Sequence, residues 1–208
     1  MAGLLEGLAG AIGGEAIGQL AGALGADNDM TSKAVAVALP ALLGGLARNA
    51  QSRDGAESLF GALGSDHDGS VLGNLGSLLG GGGSSDGEKI LGHVLGGGRP
   101  KVERQVAQSS GLDMSLVTKL LPVLAPVVLG YLGRKMRDDG MSRNDITAEL
   151  QYERANVRQN DNVLGGLLDM LDGDDNDQTN GGLMDIAGDL ITGPAGRAIL
   201  GSLLGGGR

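Results

Sequence analysis

A chain of 208 residues with 41 glycines, a formal charge of −9, no cysteine, and only Phe60, Tyr131 and Tyr152 as aromatics must build its core from Leu, Ala, Val, Ile and Met. The lack of cysteine removes disulfides, thiolate nucleophiles and thiolate metal sites. The acidic balance, with no long basic block, argues against nucleic acid as a partner.

β-Branched residues are sparse, which disfavours sheet. Glycine this abundant signals repeats or disorder. Interleaved with Leu and Ala at helical spacing, it predicts an all-α fold of close-packed helices joined by short glycine loops.

Residues 3–25 read GLLEGLAGAIGGEAIGQLAGALG, and Gly10, Gly14, Gly18 and Gly22 recur every four residues. Gly3 and Gly7 form a further pair. On a helix this glycine zipper lays a smooth groove along one face, into which another helix settles. Each such glycine costs about 1 kcal/mol relative to alanine, so the helix needs a partner. Glu6, Glu15 and Gln19 weigh against a lipid-spanning role. Packing against protein is the leading expectation, with interfacial membrane binding and disorder as alternatives. The first basic residue is Lys33, so the start lacks the positive segment of a secretory signal. A cytoplasmic protein is expected.

Residues 26–29 form a turn, and Asp29 or Thr31 starts a helix running to about residue 50. Asp54 opens a short helix, with Glu57 three residues on in a capping-box-like pattern. Residues 65–70 are a polar turn, and 71–79 read as a one-faced helix. Residues 80–87 read as a flexible linker. A helix over 89–95, capped by Ser85 with Glu88, stops at Gly96. Pro100 sits where a first helical turn tolerates proline, and the helix over 102–109 ends at Gly111.

Residues 113–137 hold the longest apolar run. Leu120, Leu121, Leu124, Val127, Val128, Leu129 and Leu132 crowd most faces of one helix, the mark of a buried element. The uninterrupted apolar part, 120–133, falls short of the roughly 20 residues a bilayer needs. Pro122 and Pro126 lie one turn apart and cannot donate to the carbonyls of Thr118 and Pro122, so a bend or break is expected. Gly130, a turn further on, admits a neighbouring backbone. The last helices span 142–158, with Ile146, Leu150 and Val157 inward, and 163–171, 183–191 and 195–204.

Pro40 superimposed on Pro126 brings Lys33 onto Lys119, Gly44 onto Gly130, Leu46 onto Leu132 and Arg48 onto Arg134. After a shift of six residues, Val71, Leu72, Gly73 and Leu75 fall on Val163, Leu164, Gly165 and Leu167. Two pseudo-repeated helical units are expected, flanked by glycine-rich terminal helices. The divisions are 1–25, 26–81, a linker at 82–87, 88–173 and 174–208.

Residues 90–135 contain Ile90-Leu91-Gly92-His93, the turn Ser110-Gly111-Leu112, and the LLP-x-LAP run over 120–126. Through these the chain resembles the YidB-like bacterial proteins over about residues 30–175. The resemblance implies an all-helical fold and no particular activity. It implies nothing for the terminal segments outside that span.

No metalloprotease, phosphate-loop, nucleophile-elbow or dinucleotide fingerprint occurs. His67 and His93 are the two histidines, and His93 has no evident catalytic partner. Ser109 and Ser110 read as turn residues. Asp172, Asp174 and Asn176 give oxygen ligands at alternating positions, as in a calcium loop. The loop lacks a glycine at its sixth position and an acid at its twelfth, so it reads first as a solvated turn. Asp66 and Asp68 make a shorter version. Arg134, Lys135 and Arg137 read as helix-end charges balancing Asp138 and Asp139.

These features point to a non-enzymatic protein without cofactor. It is expected to self-assemble into a large homo-oligomer, a filament or a shell, through helix contacts at Gly10, Gly14, Gly18 and Gly22. Pro40, Pro122, Pro126 and Gly130 are expected to mark the bend of its core helices. The alternatives are peripheral membrane association, and a binding module with a groove beside the proline bend.

Overall fold

Helix boundaries follow from capping chemistry. In the computed structural model, which describes residues 3–65 and 84–173, Asp27 accepts hydrogen bonds from Asp29 N and Met30 N at 2.8 and 3.3 Å. The second helix thus starts earlier than expected, because Asp27 outcompetes Asp29 and Thr31 as cap. Ser52, rather than Asp54, caps the third, accepting from Gly55 N at 3.0 Å. Asp113 accepts from Ser115 N at 2.8 Å. Ser142 and Asp145 form a reciprocal capping box, satisfying two donors that a helix start leaves open. Gly111 closes its helix at φ 77°, a left-handed position that glycine adopts without steric cost.

The helices are α1 (Leu4–Leu24), α2 (Asn28–Asn49), α3 (Arg53–Ser65), α4 (Ser84–Leu95), α5 (Arg99–Ser110), α6 (Met114–Asp138), α7 (Arg143–Asn160) and α8 (Asn162–Asp172). A short 3-10 turn, Gly96–Gly98, joins α4 to α5. Among the described residues there is no strand. The expected turn at 159–162 is reduced to Asp161, because α7 continues to Asn160. The expected helices over 71–79, 183–191 and 195–204 lie outside the described residues.

α2 and α6 form the centre. α2 packs against α1, α5, α7 and α8, and α6 against α3, α4, α5 and α1. Their apolar residues, Leu39, Leu42, Leu46, Leu120, Leu121, Leu124 and Leu132, are each at most 3% exposed. Both helices are long and apolar enough to cross a bilayer by length and composition, and 72% and 78% of their apolar windows are buried in the bundle. These helices up to Asp172 belong to one compact unit; a second begins at Gly173, where the described residues end.

Of the bend or break expected in α6, the break does not occur: α6 runs as one helix through Pro122 and Pro126, as α2 does through Pro40, and all three prolines are buried. Burial on all sides holds the helix where two lost hydrogen bonds would otherwise part it. Residues 84–87 are not linker but the first turn of α4. Gly87 is buried there against α6, and a Cβ on it would overlap the Pro122 carbonyl oxygen. That is the carbonyl which Pro126 cannot serve as donor.

Candidate functional site

α1 is amphipathic through size rather than polarity. Leu4, Leu8, Ile12, Leu20 and Ala21 are buried. Gly3 and Gly7 lie on the same inward side. A Cβ at Gly3 would stand 2.9 Å from Glu153 Oε2, and one at Gly7 would overlap the Tyr131 hydroxyl. These two glycines let α1 settle on α6 and α7.

Gly10, Gly14, Gly18 and Gly22 behave differently. Among the described residues, a Cβ at any of them would meet nothing within 4 Å. The expected zipper is also not one straight groove. Gly13 adopts φ 54°, ψ 171° and kinks α1, a conformation almost confined to glycine. Gly10 lies before the kink; Gly14, Gly18 and Gly22 lie after it and share one open face.

A second feature is a groove of about 480 Å3 lined by Leu46, Asn49, Ser58, Leu59, Ile90, His93, Val94 and Leu129, among others. It lies one turn beyond Pro126, between α2, α3, α4 and α6. His93 is exposed at its edge, and the His93 carbonyl accepts from Asn49 Nδ2 at 2.6 Å. Apart from Asn49, Ser58 and His93 the lining is mainly apolar, so the groove suits apolar matter.

A third feature escaped the sequence reading. Glu153 and Arg154, on a helix read as polar outside its apolar stripe, are 3% and 6% exposed. Glu153 faces the first turn of α1 at Gly3, and its Oε2 has no hydrogen-bond partner among the described residues. The free N–H groups and positive dipole end of that turn favour an anion there. Arg154 and Arg158 both hold the carboxylate of Asp172, and Arg158 also pairs with Asp169 at 2.8 Å. Arg48 donates to the carbonyls of Leu171 and, at 3.4 Å, Leu95, closing the ends of α8 and α4. The spacing 146, 150, 153, 157 is one helical stripe, and that was the available signal for Glu153.

Asp172 is therefore an ion-pair partner within the bundle, not a free calcium ligand; Asp174 and Asn176 lie outside the described residues, as do His67, Asp66 and Asp68. Ser109 and Ser110, expected in a turn, instead form the last turn of α5: Ser110 Oγ donates to Val106 O at 2.7 Å and accepts from Leu112 N at 3.1 Å. Ser109 Oγ accepts from Gln105 Nε2 at 3.0 Å. Arg134 pairs with Asp138 at 3.4 Å, and Lys135 with Asp139 at 2.8 Å and Glu149 at 3.6 Å. The Asp139 hydrogen bond raises the Lys135 pKa, and burial raises that of Tyr131 beside it.

Against known proteins, the chain matches one family model, described as a bacterial protein of unknown function (DUF937), over residues 6–135. YidB is a member of that family. The match begins inside α1 and ends within α6, so it takes in the glycine-rich helix that the resemblance over 30–175 left outside. No curated protein and no solved structure matches the chain. With its matched region covering most of the length, from the kinked α1 to the proline-bearing α6, the chain belongs to the DUF937 family of bacterial proteins of unknown function.

Proposed function

We propose that this is a non-enzymatic structural protein that self-assembles into a large homo-oligomer, a filament or a shell, with the outer face of α1 as its contact. The observation that carries this is the contrast within one helix. Gly3 and Gly7 have a packing reason inside the chain; for Gly14, Gly18 and Gly22 no described residue lies within 4 Å of where their Cβ would be. Three helical glycines cost about 1 kcal/mol each relative to alanine. A second copy of α1, approaching to backbone distance, offsets that cost.

The packing pattern is in keeping with two pseudo-repeated units. α2 packs against α7, the helix following α6, while α6 packs against α3, the helix following α2. Such reciprocal packing suits a fold with internal pseudo-symmetry, and a cytoplasmic location is part of the same proposal. The test is the mass in solution of the wild type and of a Gly14→Leu, Gly18→Leu variant. Among the described residues the space at both positions is open, so α1 can accept the new side chains.

The groove beside Leu129 supports a second reading, a binding module for an apolar small molecule or peptide. Its volume lies in the range of ligand sites, roughly 300–1,000 Å3. A monomer whose unfolding temperature rises with an apolar probe would favour this reading. Sedimentation with liposomes would favour membrane association instead.

A further inference from the structure

α7 carries a separate recess of about 320 Å3, lined by Gln151, Arg154, Ala155, Arg158 and Gln159. Its charged wall is two guanidinium groups one helical turn apart. Both converge on the carboxylate of Asp172. Arg154 is 6% exposed, yet its Nε–H has no acceptor among the described residues. A buried donor left unpaired is unfavourable, the more so on a charged group. Guanidinium forks match carboxylate and phosphate oxygens in geometry as well as charge. The Arg158 side chain is 35% exposed, so small solutes can reach the pair.

We infer that the Arg154–Arg158 recess binds a small oxyanion, a free phosphate or a small carboxylic acid, in competition with the side chain of Asp172. Arg154 and Arg158 against Asp169 and Asp172 make the cluster neutral as it stands. An incoming anion gains the two guanidinium groups only as Asp172 withdraws. Asp172 is thus the resident occupant of the site, and the end of α8 moves with its occupancy. The chain carries −9 overall, which disfavours indiscriminate anion adsorption, so saturable binding reports a local site.

The experiment is calorimetric titration of the full chain with inorganic phosphate, and separately with succinate, at constant ionic strength. One-site binding is expected, about tenfold tighter in Asp172→Asn and about tenfold weaker in Arg158→Gln, with circular dichroism unchanged. Asp169→Asn removes a carboxylate from Arg158 without touching Asp172, and it too should tighten binding if Asp172→Asn loosens α8. Heat from phosphate alone identifies a phosphate site, and heat from succinate alone a carboxylate site. Equal affinity in the wild type and both aspartate variants, unchanged binding in Arg158→Gln, or no binding by any of them overturns the inference.

Discussion

Gly87 sits against the carbonyl of Pro122, so that α4 crosses α6 at the one backbone acceptor that Pro126 has freed. The proline and the glycine are a matched pair: one removes a hydrogen bond, the other brings a helix close enough to cover the gap, where Cα–H contact recovers part of the loss.

Alanine at Gly87 gains about 1 kcal/mol of helix propensity, but its methyl meets backbone, which has no rotamer to move. Overpacking of this kind costs about 1–3 kcal/mol and wins. Gly87→Ala should therefore destabilise in urea unfolding. Gly92→Ala, on the same helix with no described residue within 4 Å, should stabilise by up to about 1 kcal/mol. Equal effects at both sites would show that α4 does not cross α6 at Pro122.

The carboxylate of Glu153 sets burial against the dipole of α1. The dipole contributes about 0.3–1 kcal/mol, up to about 2 where partly buried, and an unsatisfied buried polar atom costs about 1–3 kcal/mol. The second term is the larger. Glu153→Met should raise the urea midpoint, by an amount equivalent to about 1 kcal/mol. A fall of that size would show that the α1 amides hold the carboxylate more strongly than the geometry suggests.

Arg48 ties two helix ends through carbonyl hydrogen bonds. Hydrogen bonds to charged donors contribute about 1.5–3 kcal/mol, so Arg48→Met should destabilise by about 2–3 kcal/mol. Hydrogen exchange should rise first in the last turn of α8. Uniform loss of protection across all helices would place the role of Arg48 elsewhere.

Stability should fall at both ends of the pH scale. Hydrogen bonds from Ser115 and Ser142 lower the pKa values of Asp113 and Asp145, and that from Arg99 lowers Glu88. Depressed carboxylates stabilise fully above their ordinary values, 3.8 and 4.5 here, and the gain is lost as pH falls through the folded ones. Asp145→Asn should flatten the acid limb of a stability profile. Lys135, raised by Asp139, gives stability that is present below its ordinary 10.5 and lost as pH rises through the folded value. Tyr131, raised by burial, resists ionisation when folded and adds to the same alkaline loss. An acid limb of the same slope in Asp145→Asn would remove the capping box from the account.

Much of the fold was legible because punctuation residues act locally. Pro100 in a first turn, Gly111 at a helix end and Ser142 before α7 needed no tertiary information. The all-apolar run at 120–133 likewise announced a central helix. What stayed hidden depends on contacts between distant segments. Nothing local distinguishes Gly87, which packs on Pro122, from Gly92, which faces open space. Gly13 looks like its neighbours in a glycine-rich helix, yet it carries the kink. Glu153 and Arg154 were passed over because charge outweighed their place on the 146–157 stripe. Of the candidate contact residues, Gly14, Gly18 and Gly22 follow one another on a single helical stretch, while Gly10 is set apart by the Gly13 backbone angle, which spacing cannot reveal.

The most direct test of the account is the mass in solution, by light scattering after gel filtration, of the wild type beside the Gly14→Leu, Gly18→Leu variant. Self-assembly through α1 predicts a wild-type particle of many times 20.8 kDa and a folded variant at the monomer mass. A wild type at 20.8 kDa, or a variant that assembles as the wild type does, would contradict it.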